Sequence, residues 1–88
     1  MNADALTLAR DAGCACGLRP HTALALAYRL HHGAWPWLQP GAIAPPVRHQ
    51  IRLELGRAGL TRGGAPHLPT IRAAAEVWRA GKAVEHGR

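Results

Sequence analysis

Prolines and glycines punctuate this sequence and divide it into several separate elements. The 88 residues include 7 Pro and 10 Gly. Proline lacks the backbone N–H that a helix interior needs, and glycine is typical of helix ends and tight turns. The chain is also too short for a second domain. We therefore expect one small helical domain over residues 1–81, followed by a polar tail at residues 82–88 that frays.

Two helices are expected in the first part of the chain. The first covers residues 3–12 and ends at Gly13, with Asp4 near its positively polarised start. The second begins at Pro20 and ends at Gly33, because proline suits a first helical position and glycine suits the residue after a helix. At about 100° per residue, its apolar arc comprises Ala23, Leu24, Leu26, Ala27, Tyr28 and Leu30. The remaining side holds Thr22, Ala25, Arg29 and His32.

Two tryptophans mark the next segment, where prolines and a glycine prevent a long element. Residues 34–38 are expected to be extended, so that the alternating Trp35 and Trp37 point to one face. A single helical turn is expected at residues 40–44. The two indole rings either fill the core, which is the commoner use of aromatic residues beside prolines, or stack on bases or anchor a protein interface.

A third helix with one apolar stripe follows over residues 45–58, and Gly59 ends it. Its stripe repeats at four, four and three residues through Val47, Ile51, Leu55 and Ala58. The opposite face and its flanks hold Arg48, His49, Arg52, Leu53, Gly56 and Arg57. The third helix is therefore expected to be amphipathic, with a basic outer face.

The last part of the chain combines a hairpin-type turn with a final helix. Gly63 and Gly64 are typical of a two-residue hairpin turn, while Pro66 keeps any strand short. The final helix is expected from Thr70, as its N-cap, to a point before Gly81. Its apolar stripe comprises Ile71, Ala74, Ala75 and Trp78.

The balance of charge indicates an anionic partner. Eleven Lys and Arg residues oppose five Asp and Glu residues, which gives a formal charge of +6 with neutral His. All the basic residues except Lys82 are arginines, a choice that a GC-rich genome would also produce. Codon bias does not explain the shortage of acids in the same way. The basic excess therefore favours nucleic acid as the partner.

Residues 23–71 contain, in order, a helix, a linker, a basic helix and a glycine-rich turn, and they resemble a winged helix-turn-helix domain. The similarity is strongest over residues 47–60, which look like the recognition helix of that family followed by its Ala-Gly-Leu exit into the wing. Arg62, Gly63 and Gly64 would form the wing tip. The resemblance implies a mainly α domain of three or four helices with a short β-hairpin. It also implies a DNA-binding protein that regulates transcription.

The basic face of the third helix carries the predicted DNA contacts. A helix fits the major groove of duplex DNA, and arginine pairs bidentately with guanine or grips phosphate. We therefore predict that double-stranded DNA is contacted by Arg48, His49, Arg52, Arg57 and Arg62. The alternative is an ordinary solvated helix face whose charges only keep the domain soluble.

A second class of function, a protein-interaction module, stays open. An antitoxin-like or phage-encoded inhibitor-type protein would dock on an acidic partner through Trp35, Trp37 and Leu53, with the arginines steering association. A homodimer is a further alternative, because the thin core of so short a chain benefits from self-association.

Enzymatic, metal-binding and membrane functions are not expected. The chain has no Ser, its five acids are scattered, and it lacks a phosphate-binding loop with a Gly-Lys-Thr sequence. Cys14 and Cys16 are spaced more tightly than structural zinc ligands, so we expect two partly buried free thiols in a turn, with no metal or other cofactor. No secretory signal is expected, and the longest apolar run, residues 23–28, is too short to span a membrane. A cytoplasmic protein is therefore expected.

Overall fold

The computed structural model describes the backbone of residues 3–41 and 43–86 and the side chains of residues 4–41 and 43–82. This part of the chain comprises four α-helices, one 3₁₀ turn and one hairpin. In chain order the elements are α1 (Ala3–Cys16), α2 (Pro20–His32), a 3₁₀ turn (Pro36–Leu38), α3 (Pro45–Arg57), β1 (Thr61–Arg62), β2 (Ala65–Pro66) and α4 (Leu68–His86). The predicted mainly α architecture of three or four helices with a short hairpin is confirmed.

A core of small and branched side chains holds the helices together. α1 packs along both α4 and α2, which makes it the central helix of the domain. The side chain of Arg79 on α4 donates a hydrogen bond of 2.7 Å to Asp11 on α1 and so joins these two helices. The buried alanines that allow the helices to approach closely are Ala9, Ala12, Ala25, Ala27 and Ala75. The larger fully buried side chains are Thr22, Leu26, Ile51, Leu55, Leu60 and Ile71.

The first helix is about one turn longer than predicted, because the glycine that ends it is Gly17 and not Gly13. Gly17 has a left-handed backbone with φ of +69°, and the N–H of Leu18 donates a hydrogen bond of 2.8 Å to the carbonyl of Gly13. This pattern is the one with which a glycine closes a helix. Gly13 has another role, since a Cβ added there would lie 3.2 Å from the Cβ of Ala23. Its missing side chain lets α2 approach α1.

The second helix has the predicted limits but not the predicted faces. Gly33, with φ of +77°, ends it, and the N–H of Gly33 donates to the carbonyl of Arg29 at 2.9 Å. Thr22 and Ala25, which were expected on the outer side, are buried, whereas Leu24 is 54% exposed. Both α1 and α3 pack against α2. Its buried surface is therefore set by two neighbours and not by one apolar stripe.

The helical turn before α3 lies at Pro36–Leu38, and the described residues of the turn predicted at 40–44, which are residues 40, 41, 43 and 44, are not helical. Pro36 occupies the first position of this turn, and the N–H of Gln39 donates to its carbonyl at 3.2 Å. The expected extended course is therefore found at Trp35 but is wrong at residues 36–38, because a proline with its fixed φ starts a helical turn as readily as it interrupts one. Ala42 lies outside the described residues.

α3 and the hairpin follow in the predicted order. Ile51 and Leu55 are buried as expected, but Val47 is 37% exposed, so the predicted stripe meets the core only beyond the first turn of the helix. The hairpin pairs β1 with β2 in antiparallel fashion around Gly63 and Gly64. These glycines have φ of +61° and +80°. Positive φ at both central residues is what a tight two-residue hairpin requires.

The last helix extends beyond its predicted limits at both ends. It starts at Leu68, so Thr70 is not the N-cap but lies in the first turn, where its Oγ1 is 2.7 Å from Nδ1 of His67. Gly81 does not end the helix. The backbone stays helical to His86 and so includes much of the predicted frayed tail.

The apolar stripe of α4 is only partly buried. Ile71 and Ala75 are fully buried, but Trp78 is half-buried and Val77 is 69% exposed. The Nζ of Lys82 lies 5.7 Å from the centre of the Trp78 ring. In the part of the chain described above, α4 and the other helices lack the combination of length and apolar composition needed to cross a membrane.

Candidate nucleic-acid interface

One acidic side chain, Glu54, fixes α3 against the start of α2. Its Oε1 accepts a hydrogen bond of 2.7 Å from the backbone N–H of Arg19, and its Oε2 accepts one of 2.6 Å from Oγ1 of Thr22. The start of α2 has no side-chain cap of its own, and the unsatisfied N–H groups at a helix start attract negative charge. Glu54 therefore supplies from α3 the acceptor for the N–H of the N-cap residue Arg19 that a Glu or Gln at the third helical position supplies in a capping box.

The same contacts lower the pKa of Glu54. Partial burial on its own raises the pKa of this carboxyl group, but the hydrogen bonds from Thr22 and from the backbone of Arg19 outweigh it. The positive charges of Arg19 and His21 lower the pKa further. A carboxyl group with a lowered pKa stabilises the folded state above its unfolded-state pKa, and this contribution is lost as the pH falls through the folded-state pKa.

Replacing Glu54 by glutamine is expected to lower the free energy of unfolding by about 1 to 2 kcal/mol at neutral pH, because charge-assisted hydrogen bonds are lost from a site that solvent partly screens. The deficit should shrink as the pH falls below 4.5, the ordinary pKa of the group, since the unfolded wild-type chain then takes up a proton at Glu54 before the folded protein does. Urea denaturation of the wild-type protein and the Glu54→Gln variant at several acidic pH values measures this difference in the free energy of unfolding. The matched control is Glu76→Gln, at an exposed position on α4, which should change little. A deficit that is independent of pH would contradict the role assigned to Glu54.

With Glu54 turned toward α2, the rest of the exposed surface of α3 carries no acid. Of the predicted contacts on this helix, His49, Arg52 and Arg57 are exposed, and Arg48 is half-buried. Within the residues that the structure describes, these four side chains have no hydrogen-bond or ion-pair partner. Their donors are therefore available to another molecule. We give the name α3 ridge to five exposed side chains beyond the first turn of this helix, which are His49, Gln50, Arg52, Leu53 and Arg57.

The α3 ridge stands between two concave surfaces. The tryptophan cavity has a volume of about 330 Å³, and its lining includes Trp35, Trp37, His49, Arg52, Thr61 and Gly64. The Arg57 groove has a volume of about 460 Å³, and its lining includes Leu18, Arg19, Gln50, Glu54 and Arg57. Leu53 lines both of these surfaces. The ridge therefore projects, with His49 and Arg52 on one side and Gln50 and Arg57 on the other.

The two tryptophans form a stacked pair that braces the hairpin. The ring centres of Trp35 and Trp37 are 4.7 Å apart, and their planes are 8° from parallel. The indole N–H of Trp35 donates a hydrogen bond of 2.9 Å to the carbonyl of Gly64 in the hairpin turn. The guanidinium carbon of Arg29 lies 5.8 Å from the centre of the Trp35 ring. Both rings are half-buried and pack against the core, so they connect α2 to the hairpin while also lining the tryptophan cavity.

Arg62 lies apart from the tryptophan cavity. It is exposed on β1, next to the hairpin turn, and is paired with Ala65. The preceding residue, Thr61, lines the cavity, and successive side chains of a strand point to opposite faces. Arg62 therefore faces away from His49 and Arg52. The structure thus brings His49 and Arg52 together with the two tryptophans. It does not bring all five predicted DNA contacts to one place.

The function of this chain has to be inferred from the side chains of the α3 ridge and of the two concave surfaces beside it. No protein-family model, curated protein or solved structure matches the chain. The resemblance to winged helix-turn-helix domains therefore stays a prediction, which rests on the order of the elements and on the sequence of α3.

Several residues that line the two concave surfaces are not among the predicted site residues, and Arg19, Gln50 and Thr61 are three of them. Gln50 has a signal in the sequence, because it precedes Arg57 by seven residues, a spacing that places two side chains on the same face of a helix. Arg19 and Thr61 have no such signal in the sequence. Their positions depend on how the loop before α2 and the hairpin fold back against α3.

The two cysteines lie in the last turn of α1 and not in a loop. Cys14 and Cys16 are both free and exposed, so the expected partial burial is wrong. Side chains two residues apart on a helix do not face each other, which explains why the two thiols remain separate. Among the side chains that the structure describes, no group of three or more potential metal ligands occurs.

Proposed function

We propose that this chain is a small DNA-binding regulatory protein that inserts α3 into the major groove of duplex DNA. The observation that carries the proposal is the α3 ridge, which is basic or neutral throughout, while Glu54 is engaged with Arg19 and Thr22. A carboxylate on a DNA-binding surface would repel phosphate. Its use in an internal hydrogen-bonded contact leaves the ridge suitable for a polyanion.

The dimensions of the α3 ridge are compatible with a groove. α3 has 13 residues, which corresponds to a length of about 20 Å. The major groove is about 12 Å wide and admits one helix. In this arrangement His49 and Gln50 are assigned to base edges, and Arg48, Arg52 and Arg57 are assigned to phosphates.

The hairpin contributes a separate contact in this proposal. Arg62 is exposed beside the turn formed by Gly63 and Gly64. A guanidinium at this place can bind backbone phosphate or enter a minor groove beside the segment that α3 reads. The mode of binding is then that of a winged helix-turn-helix domain, and the proposal includes a cytoplasmic location.

One observation favours a second candidate function, a protein-interaction module for an acidic partner. Leu53 is 44% exposed on the α3 ridge, and Leu38, next to Trp37, is 67% exposed. Apolar side chains that are exposed beside arginines are typical of a protein-docking surface. Recovery of one stoichiometric protein that survives nuclease treatment would favour this candidate over DNA binding.

Binding to a mixed-sequence duplex at several salt concentrations tests the DNA-binding proposal. If about four phosphates are neutralised, the logarithm of the affinity should fall with the logarithm of salt concentration with a slope of about −3 to −4. Fluorescence anisotropy of a labelled duplex measures this slope. The absence of salt-dependent binding would contradict a nucleic-acid function.

A further inference from the structure

The tryptophan cavity combines two chemical features that groove insertion by α3 does not require. An aromatic wall, formed by Trp35 and Trp37, meets the polar side chains of His49 and Arg52 around a volume of about 330 Å³. Small-molecule sites have volumes of about 300–1,000 Å³. A phosphate contact alone needs no indole rings, and a purely apolar ligand needs no guanidinium. The combination favours a ligand that is both planar and anionic.

We propose that the tryptophan cavity binds one unpaired base of the nucleic acid that α3 contacts, with the base stacked on the indole pair and its phosphate at Arg52. Every base has a π face that stacks on aromatic side chains, and arginine binds phosphate through charge-assisted hydrogen bonds. This inference rests on the proposed function, because it assigns a second contact to the same nucleic acid.

The aromatic wall of the cavity is held in place by contacts within the protein. Trp35 is fixed by its hydrogen bond to the carbonyl of Gly64, and Trp37 stacks on Trp35. Arg29 approaches the Trp35 ring from α2. Since the rings are already oriented, little side-chain ordering is needed when a base binds. Thr61 adds a hydroxyl group at the wall next to the hairpin, and a hydroxyl can donate to or accept from a base edge.

The cost of exposing a base determines which nucleic acid the cavity selects. Removing a base from a paired and stacked duplex costs free energy, and the cost is least when the base is already unpaired. A duplex with one bulged adenine therefore presents a base to the cavity at little cost. It is expected to bind more tightly than a fully paired duplex.

The test compares three labelled duplexes of the same sequence: a fully paired duplex, one with a single bulged adenine, and one with an abasic bulge at the same position. Wild-type protein is expected to bind the bulged-adenine duplex about ten-fold more tightly than the abasic one. The abasic duplex controls for the bend and the flexibility that a bulge introduces. Replacing the bulged adenine by 2-aminopurine adds a direct readout, since stacking on the indole pair should quench its fluorescence.

Trp37→Leu removes the aromatic surface but keeps an apolar side chain. Within the described residues Trp37 makes no side-chain hydrogen bond, so the bond from Trp35 to Gly64 is left in place. This variant is expected to lose the preference for the adenine bulge and to keep its affinity for the fully paired duplex. The matched control is Trp78→Leu, because Trp78 is also half-buried but lies on α4. The Trp78→Leu variant should keep the preference for the adenine bulge over the abasic bulge.

The outcomes separate this inference from the proposed function. Salt-dependent binding of all three duplexes with equal affinity for the adenine and abasic bulges would overturn the inference and leave DNA binding by α3 standing. An unchanged preference in a folded Trp37→Leu variant would also overturn it. Failure of all three duplexes to bind would overturn both proposals. The comparison on wild-type protein decides the matter even if Trp37→Leu does not fold.

Discussion

Replacing Arg52 by alanine is expected to weaken binding to duplex DNA about ten-fold, and replacing it by glutamate about a hundred-fold. Arg52 is exposed on the α3 ridge, and no partner within the described residues neutralises it. If its guanidinium binds phosphate, the alanine variant should also reduce the salt slope by about 1, because one fewer counterion is released. Anisotropy titrations at several salt concentrations measure both effects.

The matched control for Arg52 is Arg72, an exposed arginine on α4. Arg72→Ala and Arg72→Glu change the net charge of the protein by the same amounts, but α4 packs against α1, away from the α3 ridge. These variants should leave affinity and salt slope nearly unchanged. Equal losses at Arg52 and Arg72 would mean that net charge alone drives binding and would contradict the role of α3.

Replacing Leu55 by alanine is expected to lower the free energy of unfolding by about 2 to 5 kcal/mol, because the substitution leaves a cavity in a packed interior. Leu55 is fully buried on α3, and its carbonyl accepts the N–H of Leu60, which starts the connection to the hairpin. Small domains have a total stability of about 0.05–0.15 kcal/mol per residue. The variant therefore loses a large part of its stability, as urea denaturation and thermal unfolding would show.

Leu53→Ala is the control for Leu55→Ala. Leu53 lies on the same helix, but its side chain is 44% exposed. Its truncation removes little buried apolar surface, so stability should fall by less than about 1 kcal/mol. Comparable losses for the two variants would contradict the assignment of Leu55 to the core side of α3 and Leu53 to its outer side.

The sequence predicts the number of helices well, because prolines and glycines at their ends act locally. Pro20 and Gly33 define α2 in this way, and Gly63 with Gly64 defines the hairpin. The limits of α1 could not be found by the same rule. Gly13 and Gly17 are equally good local stop signals, and the choice between them depends on the close packing of Gly13 against Ala23.

The candidate site is predictable as far as it depends on the period of one helix. The positions of His49, Arg52 and Leu53 on the outer side of α3 follow from the buried stripe through Ile51 and Leu55. Contacts between distant segments do not follow from any local pattern. The hydrogen bond from Thr22 to Glu54 joins residues 32 positions apart, and that from Trp35 to Gly64 joins residues 29 positions apart. Both depend on how the helices pack together.

The most direct test of DNA binding through α3 is an NMR titration of ¹⁵N-labelled protein with a mixed-sequence duplex. Backbone amide shifts identify the surface that meets the DNA without any substitution. The account predicts that the largest changes occur in α3 (Pro45–Arg57) and in the hairpin, with α1 and α4 little affected. Changes concentrated on α1 and α4, with α3 unchanged, would contradict it.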